Sequence, residues 1–154
     1  MRNAYTLLEL LLVIGILLTL MAIGSPFLFG HKLSLEVDEE ANRMTGMLRN
    51  AQNKALTLQN ASAWGIHFDN TGSEPFYDLF WGLTYEVGTT TDRIYLSEGI
   101  QYGLPISGSS TTIIFAKRTG TPTAAATISL QNTLTNPPQQ KTISINTLGR
   151  TTTE

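Results

Sequence analysis

Few residues in this chain have the type and spacing to do chemistry. The first is Glu9, a carboxylate inside the apolar run AYTLLELLLVIGILLTLMAIGSPF, Ala4 to Phe27. Carboxylates at membrane depth are costly and usually functional. The two histidines, His31 and His67, stand far apart in sequence, and a metal site needs clustered ligands at suitable spacing. His31 reads as a solvated residue beyond the apolar run, and His67 as an outward-facing polar residue on a strand. Asp69-Asn70-Thr71-Gly72 has calcium-loop composition without the ordered acidic ligands, so it reads as a turn. GLPISGSS is rich in Gly and Ser but has no P-loop lysine and opens no helix. Asn60-Ala61-Ser62 is a glycosylation sequon by pattern only. Lys117, Arg118, Lys141 and Arg150 are candidates for weak nucleic-acid contact if their strands lie together. No base and nucleophile are paired, so no enzyme is expected, and no cofactor.

The bulk composition narrows the remaining classes. The chain has 154 residues and a formal net charge of −2. That length suits one modest domain plus an anchor. The charge balance argues against broad nucleic-acid binding, which needs a basic surface. With 0 Cys there is no disulfide, thiolate or cysteine–metal chemistry.

The elements that must position these residues differ between the two ends. Leu10 to Phe29 is apolar and long enough to span a bilayer, which takes roughly 20 residues. Arg2 is the only basic residue before it and favours a cytoplasmic N-terminus. Read from these residues alone, three roles stay open. The run is a secretory signal cut after Ala22-Ile23-Gly24, a plain anchor whose Glu9 snorkels to the interface, or the signal of a known family, taken up below. Beyond Gly30 the apolar residues Leu33, Val37, Ala41, Met44, Leu48, Ala51, Ala55 and Leu58 recur at steps of three and four. That period predicts an amphipathic helix whose stripe is covered by the rest of the chain. Gly24, Pro26 and Gly30 sit where such a helix would bend or locally melt.

AYTLLELLLVIGIL resembles the class III signal of type IV pilins and pseudopilins, typically G|FTLIELLVVI. The resemblance places cleavage between Ala4 and Tyr5 and makes Glu9 the fifth residue of the mature chain. Ala4 stands where the family usually has Gly, and Tyr5 where Phe is commonest. It implies a prepilin peptidase that cuts and methylates the Tyr5 amine. It also implies a single-pass inner-membrane location with the head outside the cytoplasm, and assembly with other pilins or pseudopilins on an inner-membrane platform. Glu9 would pair with the N-terminal amine of Tyr5 in a neighbouring subunit. An ammonium there offsets the lost solvation of the carboxylate and favours one axial register.

After about Leu58 the sequence turns rich in Thr, Ser, Gly and Asn. SAWGIHFD predicts a strand with Trp64, Ile66 and Phe68 on one face and His67 on the other. LFWGLTYEV predicts a second strand, DRIYLSEGIQYG another ending near Glu98-Gly99, and STTIIFAKRTGTP a strand and a turn. AATISLQN and KTISINTLGRT predict a final pair joined by the loop Thr133 to Gln140. The helix end MLRNAQNKALTLQNASAWGIHFD and the segments IIFAKRTG, ATISLQN and KTISINTLGRT resemble the GspH/FimT-type minor pseudopilins.

The resulting expectation is an α+β, pilin-like fold: a long N-terminal helix, transmembrane then amphipathic, packed on a C-terminal antiparallel β-rich head. Its divisions are a leader at 1–4, a transmembrane helix at 5–29, an amphipathic helix at 30–59 and a head at 60–154. The resemblance implies a structural subunit of a type II secretion pseudopilus, or alternatively a FimT-like minor type IV pilin priming assembly or DNA uptake. Some FimT-like pilins take up DNA through a basic C-terminal tail; the tail here, LGRTTTE, carries Arg150 alone and ends in Glu154. A third class is an anchored module that grips a ligand through its head loops.

Overall fold

The computed structural model describes residues 6–86, 89–134 and 137–154, and for residues 22–34 the backbone alone. Helix α1, Leu7–Leu56, is one element that passes through Gly24, Pro26 and Gly30. Its start is capped by Thr6, whose side chain accepts a hydrogen bond from the Glu9 N–H. Its end is closed by Thr57, which bonds back to Asn53 through both N–H and hydroxyl. Leu58, Asn60 and Ala61 then take positive φ, and this left-handed turn reverses the chain into the first strand. Leu58 therefore leaves the stripe on which its spacing placed it and is exposed.

Eight strands follow: β1 Trp64–Asp69, β2 Phe76–Trp81, β3 Thr90–Tyr95, β4 Ile100–Leu104, β5 Ser110–Phe115, β6 Ala126–Asn132, β7 Gln140–Ile145 and β8 Thr151–Thr153. They form two four-stranded antiparallel sheets, ordered β3-β2-β1-β5 and β4-β6-β7-β8. The helix packs on both, against β1 and β5 of the first and β6, β7 and β8 of the second. Its stripe residues Val37, Ala41, Met44, Leu48, Ala51 and Ala55 are all buried. They meet Trp64, Ile66, Phe68 and Phe115 from one sheet and Ile128, Leu130 and Ile143 from the other in a single core.

Four strand expectations need correction. LFWGLTYEV is not one strand, because β2 begins at Phe76 and ends at Trp81, where Gly82 at φ +138 turns the chain away. DRIYLSEGIQYG, expected as one strand ending near Glu98-Gly99, gives β3, which ends already at Tyr95, and after Gly99 at φ +81 a second strand, β4, in the other sheet. KTISINTLGRT is likewise broken at Gly149, and β8 folds the tail back along β7. His67 does lie on the face of β1 opposite Phe68, but it is buried rather than solvated. Tyr85, from the loop after β2, stacks on its ring at 3.8 Å and meets the Phe80 ring edge-on. That loop covers the outer face of β1, which explains why β1 is buried on both sides and lacks clean alternation.

Among the described residues no helix is long and apolar enough to cross a membrane. The Leu10–Phe29 span expected there has described side chains only as far as Met21, so much of that expectation lies outside the described residues.

Candidate functional site

The N-terminal site is read from the helix upward. Ala4 and Tyr5, the expected cleavage and methylation positions, lie outside the described residues. Glu9 stands in the first turn of α1, exposed, with its N–H 3.3 Å from Thr6 Oγ1. The cap is made by the Thr6 hydroxyl and the Glu9 backbone N–H. A carboxylate there also faces the positive end of the helix dipole. Every large apolar side chain from Leu7 to Met21 is exposed, on all sides of the helix. Glu9 is thus one charge on a surface otherwise able to contact only lipid or other apolar surfaces.

The basic candidates separate into two groups. Lys141 sits on the second sheet, where its ammonium pairs with Asp38 at 3.1 Å. The other three gather at the C-terminal end of α1. Gln52 Nε2 donates to the carbonyls of Gly120 and Gly149, at 2.9 and 3.3 Å, and so holds the β5–β6 and β7–β8 loops against the helix. The Arg118 N–H donates to the Ala55 carbonyl at 3.0 Å. Lys117, Arg118 and Arg150 are therefore brought to one end of the head, and Arg49 joins Arg150 around an open recess of about 510 Å³. Arg49 and Gln52 were not singled out in the sequence. Their signal was the step of three along α1, which places both beside the buried stripe.

A second polar group, also unforeseen, lies under the Tyr85 loop. Asp78 is fully buried on β2 and accepts a forked pair of bonds from Arg93, at 2.8 and 2.7 Å, and a third from the Tyr85 hydroxyl. Arg93 lies across from it on β3 in register. The bonds to Asp78 push the Arg93 pKa up further, so the guanidinium stays charged. Beside this pair, His67 Nδ1 is 2.7 Å from Thr112 Oγ1 and its Nε2 is 3.6 Å from Asp69. Burial lowers the His67 pKa and outweighs the attraction of Asp69. Burial alone would raise Asp69, but donation from the Thr71 hydroxyl and N–H holds it below its ordinary value. Asp78 and His67 both act as fixings for the loop through Tyr85, whose hydroxyl donates to Asp78 and whose ring stacks on His67.

No family model and no curated protein matches the sequence. Two solved structures share the architecture. One is EpsH, the minor pseudopilin of the type 2 secretion system of Vibrio cholerae, at 16% identity and a TM-score of 0.53, covering 77% of this chain and 96% of that one. The other is FimU, a type IV minor pilin of Pseudomonas aeruginosa, at 13% identity and a TM-score of 0.53, covering 76% and 91%. The fold is pilin-like. The expected α+β class, with its long helix packed on an antiparallel β head, is the class observed. In pilin-like terms, α1 supplies both the exposed apolar segment and the helix on which the head folds.

Proposed function

We propose that the chain is a minor subunit of a pilin-like filament, of GspH/FimT type, built into the pseudopilus of a type II secretion system. A prepilin peptidase cuts after Ala4 and methylates Tyr5. Residues 5–29 anchor the chain once in the inner membrane, with the N-terminus cytoplasmic, and 30–59 carry the helix into a head at 60–154 outside the cytoplasm. An inner-membrane platform then draws the subunit among other pseudopilins. The observation that carries this reading is the helix itself. From Val37 to Ala55 it is the spine of a packed core, while from Leu7 to Met21 it exposes apolar side chains on every face, with Glu9 among them. A surface of that kind needs lipid before assembly and neighbouring helices after it.

The FimU likeness favours a second reading, a minor type IV pilin that primes pilus assembly or DNA uptake, at the same TM-score of 0.53 as EpsH.

Glu9 tests the assembly step. Glu9→Gln keeps the side-chain shape and first-turn position but removes the charge. It should leave membrane insertion and cleavage intact and cut recovery in sheared filaments at least roughly tenfold, the cost of about 1.4 kcal/mol of subunit pairing. Recovery equal to the parent would sink the register role of Glu9.

A further inference from the structure

Along the chain His67 has no nucleophile beside it, but the first sheet supplies one. β1 and β5 pair so that His67 and Thr112 stand directly opposite. The Asn70 N–H bonds across to the Ser109 carbonyl. Alternation from that bond makes His67–Thr112 a non-hydrogen-bonded pair, the kind whose side chains approach most closely. Thr112 Oγ1 lies 2.7 Å from His67 Nδ1. The Asp69 carboxylate faces the other ring nitrogen, Nε2, at 3.6 Å. A carboxylate there favours the proton on Nε2, which leaves the Nδ1 lone pair to accept from the Thr112 hydroxyl. Hydroxyl, imidazole and carboxylate thus follow one another in the order of a nucleophile, its base and the group that orients the base.

Each member is held in place. Asp69 Oδ1 accepts from the Thr71 N–H and hydroxyl, at 2.8 and 2.6 Å. The Tyr85 ring, stacked at 3.8 Å, fixes the plane of the imidazole. Charged groups face that ring from three strands: Asp69 on β1 and Asp78 on β2 favour its protonation, and Arg93 on β3 opposes it. Burial outweighs them and lowers the His67 pKa, so at neutral pH the ring is the free base. Thr112 itself is exposed on β5, the edge strand of the sheet, so an electrophile reaches the hydroxyl while its base stays buried. Ile114 turns its carbonyl to the outer edge of β5, where the Thr123 N–H bonds it. Two residues earlier, Thr112 turns its N–H to the same edge, on the side where an oxyanion would grow beside Oγ1.

We propose that Thr112 is a modification site, a hydroxyl activated by His67 and positioned through Asp69 that takes the acyl group of a small uncharged ester. The Thr112 Oγ1 attacks the ester carbonyl carbon, and a new C–O bond forms as the bond to the departing oxygen breaks. The hydroxyl proton passes to His67 Nδ1 and from there to the departing oxygen, which leaves as an alcohol. The products are acyl-Thr112 and that alcohol, with no net change of charge. Ser110 and Ile114 flank Thr112 on the same face of β5, and Arg93 is engaged by Asp78, so the surroundings suit an uncharged acyl group. Thr112 belongs to the head and acts there whether or not the apolar segment enters a filament.

The test treats the full chain in neutral detergent with p-nitrophenyl acetate and maps the acetyl groups by peptide mass after an acid quench. Thr112 should carry acetyl at least roughly tenfold above any other hydroxyl of the chain, because a positioned base contributes about 10²–10⁴-fold. Thr112→Val changes one exposed side chain at constant shape and should abolish that label, and Thr112→Ser should keep it. His67→Gln should lower the label at Thr112 roughly a hundredfold. The rate at Thr112 should be full above the ordinary 6.5 of histidine and fall at lower pH as the ring protonates. Asp69→Asn removes an attraction that raises the His67 pKa, so it should slow acylation and move that falling limb to lower pH. A merely structural role for Asp69 would leave the limb where it is. Acetyl spread over lysines and the chain N-terminus, with Thr112 no richer than other hydroxyls, would overturn the proposal. A label at Thr112 that survives His67→Gln, or a limb unmoved by Asp69→Asn, would overturn it as well, since the hydroxyl would then react without its base or its orienting carboxylate.

Discussion

At the residue scale a few buried polar side chains hold the loops of the head in place. Asp78 is buried with its acceptors filled by Arg93 and Tyr85. Asp78→Ala removes the fork and frees the Tyr85 loop. It should cost about 2–3 kcal/mol, the penalty of unmaking charge-assisted bonds at a buried site, measured by urea unfolding of the full chain. His67 adds a pH dependence whose sign follows from its lowered pKa. The unfolded chain takes up a proton near the ordinary 6.5, and the folded chain only at lower pH. The unfolded state therefore binds more protons in between, and stability is full above pH 6.5 and falls as pH drops below it. Asp69, Asp78, Arg93 and Tyr85 face the ring, and Asp69, with its own pKa lowered, loses its contribution only below the ordinary 3.8. His67→Gln should flatten the pH dependence of the unfolding midpoint just below the ordinary 6.5 while leaving the more acidic limb in place.

At the scale of elements, helix and sheets are joined by small and large residues alternating at close range. Leu48 is fully buried on α1 in the core shared with both sheets, and Leu48→Ala should cost about 2–5 kcal/mol in the same unfolding measurement. Gly65 lies on β1 opposite Phe80, where an added methyl would stand 2.5 Å from the Ile113 carbonyl and 2.8 Å from the Phe80 ring. Gly65→Ala should therefore destabilise by about 1–3 kcal/mol, since backbone cannot yield as a side chain can. The helix was legible because its stripe repeats at 3.6 residues over more than five turns, from Val37 to Ala55. The strand carrying Trp64, Ile66 and Phe68 was legible for the matching reason of period two. The strand end near Glu98-Gly99 was legible, whereas the breaks at Gly82 and Gly149 were harder to see, because a glycine within a strand-like run reads equally as strand interior or as turn until its φ is known. The burial of His67 was not legible at all. It depends on Tyr85, 18 positions away, returning across the sheet.

At the scale of the whole molecule, the sequence and the structure speak to different halves. The pilin-like signature rests on Ala4, Tyr5 and Glu9, of which only Glu9 falls among the described residues. The fold rests on the head, where two four-stranded sheets clasp one face of the helix. The basic candidates show the limit of reading charge along a chain. Lys141 looked equivalent to Lys117, Arg118 and Arg150, but the topology sends it to the second sheet and to Asp38.

The measurement that bears most directly on the central claim is the intact mass and N-terminal sequence of the full chain, extracted from membranes after expression with a prepilin peptidase. A chain beginning at N-methylated Tyr5 is the predicted result, and it makes Glu9 an assembly residue of a processed pilin-like subunit. A chain beginning at Ser25 would contradict the account, because the apolar segment and Glu9 would then have been discarded with a secretory signal.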